Sequence, residues 1–303
     1  MPVVFAAPYV PPVPPRDPWS GVSFRWEGAD GSLWELAGRS GVALRPGVRG
    51  LTAPPMDQFA SRLSGGHGQR FRGWSAGPRE VFWPLSVWQD TDDIGWLEYD
   101  AAFWASLRPD VAGTWTVTHP SGTSRSLKLR LVSDGDKAWD FAPGMREWTR
   151  YEVYLVADQP FWEGQVVGSP VWGQDEAPVD FIPATGAPDF YLSGASTVGN
   201  ASLTNPGDVD APLVWTVTGP TTSVSLTVGG DTIGVPFPVL EGQTLVIDTG
   251  APVALLDGVD VTGQLDAAGF ASLPARATTG LGIVMSGTGT VRAELTPLFE
   301  RAW

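Results

Sequence analysis

The sequence predicts a mainly all-β protein made of two β-sandwich domains, the first of which contains one helix. Three observations carry this prediction. A length of 303 residues fits two domains. The 37 glycines and 28 prolines favour short strands joined by turns over long helices. In the last third of the chain, short apolar runs recur about every ten residues between turn residues, which is typical of a sandwich or jelly roll.

The clearest strand lies within Glu147–Gly164, which is rich in β-branched and aromatic residues. It should end at Asp158, because Pro160 has no N–H to donate to a neighbouring strand. The composition changes after Gly164, so we interpret this strand as the last one of the first domain. The predicted organisation is a proline-rich arm at 1–18, a first domain at 19–164, a linker at 165–188 and a second domain at 189–303.

In the first domain, apolar and aromatic runs bounded by turn residues predict the remaining strands. Tyr99–Leu107 is the best helix candidate, since its residues propagate a helix and Pro109 would end it. Pro84 suggests an edge or a bulge in its strand, and Ser64–Gly68 suggests a flexible loop. The predicted strands are Val22–Trp26, Leu33–Leu36, Val42–Val48, Met56–Leu63, Glu80–Trp88, Thr114–His119 and Arg125–Val132.

The second domain shows almost no helical periodicity, so we predict that it contains strands alone. The segment before it, 165–188, is rich in Gly, Pro and Asp and has no periodicity, which is why we interpret it as a linker. The predicted strands are Phe190–Leu203, Pro212–Val217, Val224–Val228, Leu245–Asp248, Val253–Leu256, Gly282–Met285 and Val291–Leu295.

The first 18 residues contain seven prolines, which favour an extended, polyproline-like arm. Phe5 and Tyr9 in this arm need burial that so short a segment cannot supply. Two alternatives stay open: the arm lies on its own domain, or it lies on a neighbouring copy. Because Met1–Val13 has no basic start and is interrupted by prolines, we do not expect a signal peptide. The sequence contains no run of 18 apolar residues, so it predicts no membrane span.

Charge is distributed unevenly between the two halves. Residues 1–163 carry 16 basic and 19 acidic side chains, whereas 164–303 carry 3 and 14. The acidic second half should repel nucleic acid and anionic lipid, so neither is an expected partner. The chain has no cysteine, which excludes disulfides and thiolate metal sites.

The sequence predicts no catalytic, cofactor or metal site, and the protein is expected not to be an enzyme. His67 and His119 have no second histidine at ligand spacing. A glycosidase needs two carboxyl groups that converge on a sugar, but the acidic pairs of this chain fall in turns, where Asp is common. These pairs are Asp92-Asp93, Asp134-x-Asp136 and Asp208-x-Asp210.

The tryptophans of the first domain allow two interpretations. They could form a platform on which sugars stack, or they could be divided between the core and a subunit interface, where Trp is enriched. The second interpretation is the commoner one. The tryptophans in question are Trp74, Trp83, Trp88, Trp96, Trp104 and Trp115. The candidate subunit-interface residues are Phe5, Tyr9, Trp74, Trp83, Trp88 and Trp96.

Several segments, in their order and spacing, resemble the distal tail protein family of long-tailed bacteriophages (siphophages). The resemblance covers most of residues 22–303, although no single motif is specific. The proline-rich arm departs from the family pattern. The matching segments are Gly47–Leu51, Arg79–Leu85, Arg125–Leu129, Arg150–Gly164, Asn205–Asp208 with Pro212, Leu245–Thr249 and Val291–Glu300.

The resemblance implies a structural protein of the virion, at the tail tip, assembled in the host cytoplasm. In this family copies form a ring, usually a hexamer, that joins the end of the tail tube to the tip or baseplate. The first domain builds the ring, and the second, often galectin-like, projects outward. The implied partners are other copies of the chain, the tail tube protein and the tail-tip hub protein, and host-surface carbohydrate is left open as a partner.

The alternative hypothesis is a carbohydrate-binding or cell-wall-degrading protein built from two β-sandwich modules. A converging acid pair or an exposed row of coplanar tryptophans would favour it, and the sequence shows neither. Mass in solution separates the two hypotheses, because a ring protein should run as a multimer or be insoluble without its partners.

Overall fold

The computed structural model describes residue 19 and residues 21–38, 41–62, 64–89, 93–139, 148–173 and 196–303. The chain divides into two compact units, unit 1 up to Gln159 and unit 2 at Pro160–Ala302. The division precedes the expected boundary at Gly164. The proline-rich arm and residues 174–188 of the expected linker lie outside the described residues. None of the described helices is long and apolar enough to cross a membrane.

Unit 1 contains nine described strands and one described α-helix. The helix is α1 (Asp93–Ala105). The strands are β1 (Ser23–Glu27), β2 (Leu33–Glu35), β3 (Val42–Leu44), β4 (Met56–Ser61), β5 (Arg70–Ala76), β6 (Arg79–Trp88), β7 (Gly113–Thr118), β8 (Ser124–Ser133) and β9 (Trp148–Ala157).

Seven of these strands form one sheet in the order β2-β1-β7-β8-β9-β6-β3. Every pairing along it is antiparallel, and β6 pairs with β9 over its full length from Arg79↔Ala157 to Trp88↔Trp148. Except at Pro84, which is also buried, buried and outward residues alternate along both strands, because successive side chains of a strand point to opposite faces. This confirms the mainly β architecture, and it fixes which side chains of β6 and β9 face outward.

The core of unit 1 is dominated by indole rings. Trp26, Trp83 and Trp115 are fully buried. The Trp83 ring stands edge-on to Trp26 at 5.3 Å and to Trp115 at 5.2 Å between centroids. Edge-to-face contacts of this kind stabilise beyond the area they bury. These three tryptophans, which we call the tryptophan triad, are core residues.

Pro84 lies within β6 without breaking it. Its carbonyl accepts a hydrogen bond from the Arg45 N–H, so the missing N–H of Pro84 faces the chain just beyond Leu44, where β3 has ended. A proline is tolerated where no ladder partner requires its N–H. Pro84 therefore lies at a sheet edge, as the sequence suggested, but this edge is confined to the part of β6 beyond the end of β3.

The helix begins six residues before the predicted Tyr99, at Asp93, and ends at Ala105. The Gly95 in its first turns weakens the helical pattern in the sequence. Trp96 and Phe103 are fully buried, so packing of these aromatic side chains stabilises a longer helix than propensity alone predicts.

The described residues of unit 2 form strands and one short 3-10 turn, Thr262–Gln264. The strands are β10 (Trp162–Glu163), β11 (Val167–Gly168), β12 (Trp172–Gly173), β13 (Ser196–Thr204), β14 (Ala211–Thr218), β15 (Thr221–Val228), β16 (Asp231–Val235), β17 (Thr244–Asp248), β18 (Val253–Leu256), β19 (Val259–Asp260), β20 (Ala267–Ala268), β21 (Ser272–Leu273), β22 (Thr278–Gly287), β23 (Thr290–Leu295) and β24 (Leu298–Phe299).

Two sheets enclose the core of unit 2, as expected of a galectin-like sandwich. One has the order β11-β23-β14-β17-β18-β19, and the other β13-β22-β15-β16-β20. Trp215 of β14 is fully buried, as are Ile247 of β17 and Ile283 of β22. The alternating pattern of β14 places Trp215 in the core while the other face of the strand stays partly exposed.

The start of the predicted linker, 165–188, is structured differently from the prediction. β11 and β12 pair with β23, so residues 167–173 are part of a sheet of unit 2. Trp172 also packs against the core of this unit. The strands are only two residues long, too short to show periodicity in the sequence.

Candidate assembly surface

The hairpin β4–β5 is the most exposed element of unit 1. Its two strands pair only with each other among the described strands. Nearly all of its side chains are exposed. The turn between the strands holds Gly65 and Gly68 at φ values of 81° and 82°, which glycine adopts without strain. The hairpin is therefore a ribbon with no described sheet beneath it.

Four large apolar side chains lie on this ribbon, a composition unusual for a surface exposed to water. Phe59 is 53% exposed, Phe71 60%, Trp74 41% and Met56 39%. An isolated two-stranded hairpin is marginally stable in water, and clustered apolar exposure marks an interaction site. The ribbon therefore has the properties of a surface that is buried by a partner.

The ribbon also differs in charge from the rest of the chain. Between residues 56 and 76 there are three arginines, Arg62, Arg70 and Arg72, and one acid, Asp57. The chain as a whole has a net charge of −14. A locally basic surface on an acidic protein favours contact with acidic regions of other copies. The Arg72 Nε also donates to the Ser61 Oγ at 2.9 Å, which links the two strands.

The candidate interface residues are divided by the structure. Trp74 lies on the exposed ribbon, and Trp88 is half-buried at the end of β6. Trp83 and Trp96 are fully buried in the core, so their side chains offer no surface to a neighbour. Trp115 is also in the core, so Trp83, Trp96 and Trp115 cannot form part of a sugar-stacking platform. Phe5 and Tyr9 lie outside the described residues.

Sequence reasoning missed Phe59 and Phe71 as surface residues because it did not identify β5. The alternation in Arg70–Trp74 after a glycine-rich loop is the signal that could have identified the second strand of the hairpin. It could not have shown that the ribbon has no sheet beneath it, since that depends on how the remaining strands pair.

The acidic pairs within the described residues have local structural roles. Asp208 binds the Arg276 guanidinium at 2.6 Å and accepts from the Glu300 N–H at 3.1 Å. Asp210 accepts from the Ala275 N–H at 2.9 Å. Asp134 accepts from the N–H of Asp136 at 3.3 Å, in a turn. These carboxylates do not converge on a common point where a substrate could bind.

One titratable cluster links α1 to β9. The Tyr151 hydroxyl donates to the two Asp100 carboxylate oxygens at 2.8 and 2.9 Å. Burial raises the pKa of Asp100, while the Tyr151 hydrogen bond and the nearby Lys137 oppose this. Burial, followed by the Asp100 charge, raises the pKa of Tyr151 above its usual range. The cluster fixes the helix against the sheet.

The described residues contain no group of three or more His, Cys, Asp or Glu side chains placed to hold a metal ion. The His119 Nδ1 lies 3.0 Å from the Ser121 Oγ in the β7–β8 turn, and His67 lies in the hairpin loop. In the described part of unit 2, Trp162 and Trp215 are buried and Trp172 is half-buried.

The fold is similar to those of chains in three solved phage structures. The first is the SPP1 Dit protein, presented as a paradigm of the hub adsorption apparatus in phages that infect Gram-positive bacteria. The two chains share 13% identity with a TM-score of 0.62, over 92% of this chain and 99% of that one. The similarity covers almost the full length of both chains.

Two chains from the phage P2 baseplate in its activated conformation are also similar. The form with Ca gives a TM-score of 0.55 at 10% identity, over 91% of this chain and 98% of that one. The form with Sr gives 0.52 at 11% identity, over 91% and 97%. No family model and no curated protein matches the sequence. At these identities the similarity establishes the fold.

Proposed function

We propose that this chain is a distal tail protein, a structural component of a phage tail tip whose copies form a hexameric ring. The ring joins the end of the tail tube to the tip or baseplate. The observation that carries the proposal is the similarity of both units to SPP1 Dit, over 92% of this chain and 99% of that one. The protein is thus part of the virion, assembled in the host cytoplasm, and has no catalytic role.

Unit 1 builds the ring, and the hairpin β4–β5 is its main contact with the next copy. Phe59, Phe71 and Trp74 supply the aromatic side chains that are enriched in interfaces. A ring requires a head-to-tail contact, in which a projecting element of one copy meets a different surface of the next. Such a contact should bury more than about 1,000 Å² in total.

Unit 2 projects outward from the ring. Its acidic character keeps it soluble and away from other acidic surfaces. The other partners are the tail tube protein and the tail-tip hub protein, and host carbohydrate is the partner class open to unit 2. Hydrolysis of cell-wall glycan by the purified chain would contradict the non-catalytic role.

The experiment that tests the ring is the mass of the full chain in solution, measured by light scattering and native mass spectrometry. We expect a hexamer that dissociates to monomers when Phe59→Ser and Phe71→Ser are combined, because the apolar contact of the hairpin is removed. The side chains are exposed, so the monomer should stay folded.

Val259→Ser combined with Val284→Ser is the matched control. Both valines are exposed and lie in unit 2, so these changes remove apolar surface without touching the hairpin and should leave the hexamer intact. A wild-type chain that stays monomeric at high concentration would contradict ring formation. A hairpin variant that assembles as well as the wild type would exclude the hairpin as the contact.

A further inference from the structure

An open groove of about 470 Å³ lies on the outer face of the unit 1 sheet. Its floor is formed by Phe82 of β6 and Tyr154 of β9, which are paired in register with ring centroids 5.0 Å apart. The Arg49 guanidinium lies over the Phe82 ring at 4.7 Å and forms one side. Pockets of this volume and aromatic lining typically hold ligands.

The other side of the groove is formed by a β-bulge. The register of β8 against β9 shifts between Leu131 and Ser133, which leaves Val132 without a paired residue. Val132 is 62% exposed and lines the groove. Bulges re-aim a side chain and are common beside functional sites. Here the bulge presents an apolar side chain toward the aromatic floor.

The chain enters the described structure at Trp19, which is bound to Leu44 of β3, the strand next to β6 of the groove. Trp19, the first described residue, donates from its Nε1 to the Leu44 carbonyl at 2.8 Å. Its ring packs edge-on against Phe24 at 4.9 Å. Leu44 pairs with Leu85 of β6, three residues along the same strand from Phe82, or about 10 Å. Residues 1–18 span roughly 56 Å as a polyproline helix, so the arm easily reaches the groove.

The sequence of the arm suits such a groove. Pro8, Pro11 and Pro14 recur every third residue, and a polyproline helix has three residues per turn, so these prolines share one apolar ridge. Proline-rich segments of this kind dock in aromatic-lined grooves. The stiffness of the free arm reduces the entropy lost on docking.

Two carboxylates on the outer face can pair with Arg16, the one basic side chain of the arm. Arg16 precedes Trp19 by three residues in the sequence. Glu152 stands opposite Pro84 in the β6–β9 register, between the tether and the groove, and Glu80 lines the groove itself. Both carboxylates are exposed, and neither is in an ion pair with a described residue. An arginine beside the proline ridge therefore has an acidic partner within reach.

We propose that the proline-rich arm, residues 1–18, binds in the groove of its own copy, with its proline ridge on Phe82, Tyr154 and Val132. Arg16 pairs with Glu152 as the arm enters the groove. The arm is assigned to the same copy because Trp19 is bound to β3, the neighbour of the strand that carries Phe82, and 18 extended residues span more than that distance. This inference does not depend on the ring, and a monomer should show it.

Trypsin cleavage after Arg16 in the full chain tests the docking, with the lost peptide measured by mass spectrometry. We expect protection in the wild type. In Val132→Asp, cleavage should be about tenfold faster or more, because cleavage follows the population of released arm. Val284→Asp, a charge at a similarly exposed valine of unit 2, should stay protected. Equal cleavage rates in wild type and Val132→Asp would overturn the proposal.

A pair of introduced cysteines tests which copy supplies the arm, since the chain has none of its own. Val13→Cys with Val132→Cys should form a disulfide within one chain under mild oxidation. Val13→Cys with Leu33→Cys, at an exposed position of β2, is the control and should stay reduced. Disulfide-linked dimers would show that the arm of a neighbouring copy occupies the groove. No more disulfide than in the control would overturn the proposal.

Discussion

At the residue scale, buried polar side chains account for two motifs on which the family resemblance depends. Asn205 is fully buried, and its side-chain amide donates to the Val209 and Leu273 carbonyls, both at 3.0 Å. Its Oδ1 accepts from the Gly207 N–H at 2.8 Å. Arg79 is 1% exposed and donates to the carbonyls of Gly50 and Thr52. Each side chain supplies hydrogen-bond partners to backbone groups of a loop that would otherwise have none.

The change Asn205→Asp tests this role. It replaces an amide that donates to two carbonyls with a buried carboxylate that faces them. We expect unit 2 to lose about 3 kcal/mol or more of unfolding free energy, the cost of an unsatisfied buried charged group. Urea unfolding measures the loss. Gln264→Glu makes the same chemical change at an exposed site and should be nearly neutral; equal losses in both variants would contradict a role for Asn205.

The sequence could indicate a turn at Asn205–Asp208, because Asn, Gly and Asp are turn residues. It could not show that the amide is fully buried or that it reaches Leu273, since such contacts depend on the tertiary fold. The same limit explains why the sequence suggested Trp83 and Trp96 as interface residues. Their residue type fits an interface and a core equally well, and only the fold placed both in the core.

At the element scale, long alternating strands were predictable, whereas two-residue strands and the exposed β5 were not. β6, β9 and β14 bury every second residue, and that period is visible in the sequence. β11 and β12 are two residues long, and their pairing with β23 is decided by the partner strand. The early start of α1 depends on the burial of aromatic side chains, which local propensity does not include.

The end of α1 is anchored to β1 by one hydroxyl group. The fully buried Ser106 accepts from the Trp26 Nε1 at 3.0 Å and donates to the Phe103 carbonyl at 2.6 Å. Ser106→Ala should lower the unfolding free energy of unit 1 by roughly 1–3 kcal/mol, since the buried indole N–H loses its acceptor. Chemical denaturation measures this. Ser64→Ala, in the exposed hairpin loop, should change little, and a neutral Ser106→Ala would show that this anchor is dispensable.

At the scale of the whole molecule, each unit has a core of its own. The unit 2 core is built around Trp215, and that of unit 1 around the tryptophan triad. Separate cores predict separate folding. The pairing of β11 and β12 with β23 also sets where a stable fragment must begin, which is well before the boundary that composition suggests.

Two fragments of unit 2 test this boundary. The fragment 160–302 should unfold in one cooperative thermal transition. The fragment 189–302 lacks β10, β11 and β12, so it exposes one edge of β23 and loses the packing of Trp172. We expect it to melt at a lower temperature. Identical melting by calorimetry would show that residues 160–188 contribute nothing to the fold, and failure of 160–302 to fold would show that unit 2 depends on unit 1.

The tryptophan triad gives unit 1 an optical signature. Indole rings about 5 Å apart and held at steep angles couple their electronic transitions, so their combined circular dichroism differs from that of three separate rings. The coupling disappears as soon as the side chains lose their fixed geometry, even when the strands persist. Loss of close packing in the first unit can therefore be followed by circular dichroism in the near ultraviolet, without any label.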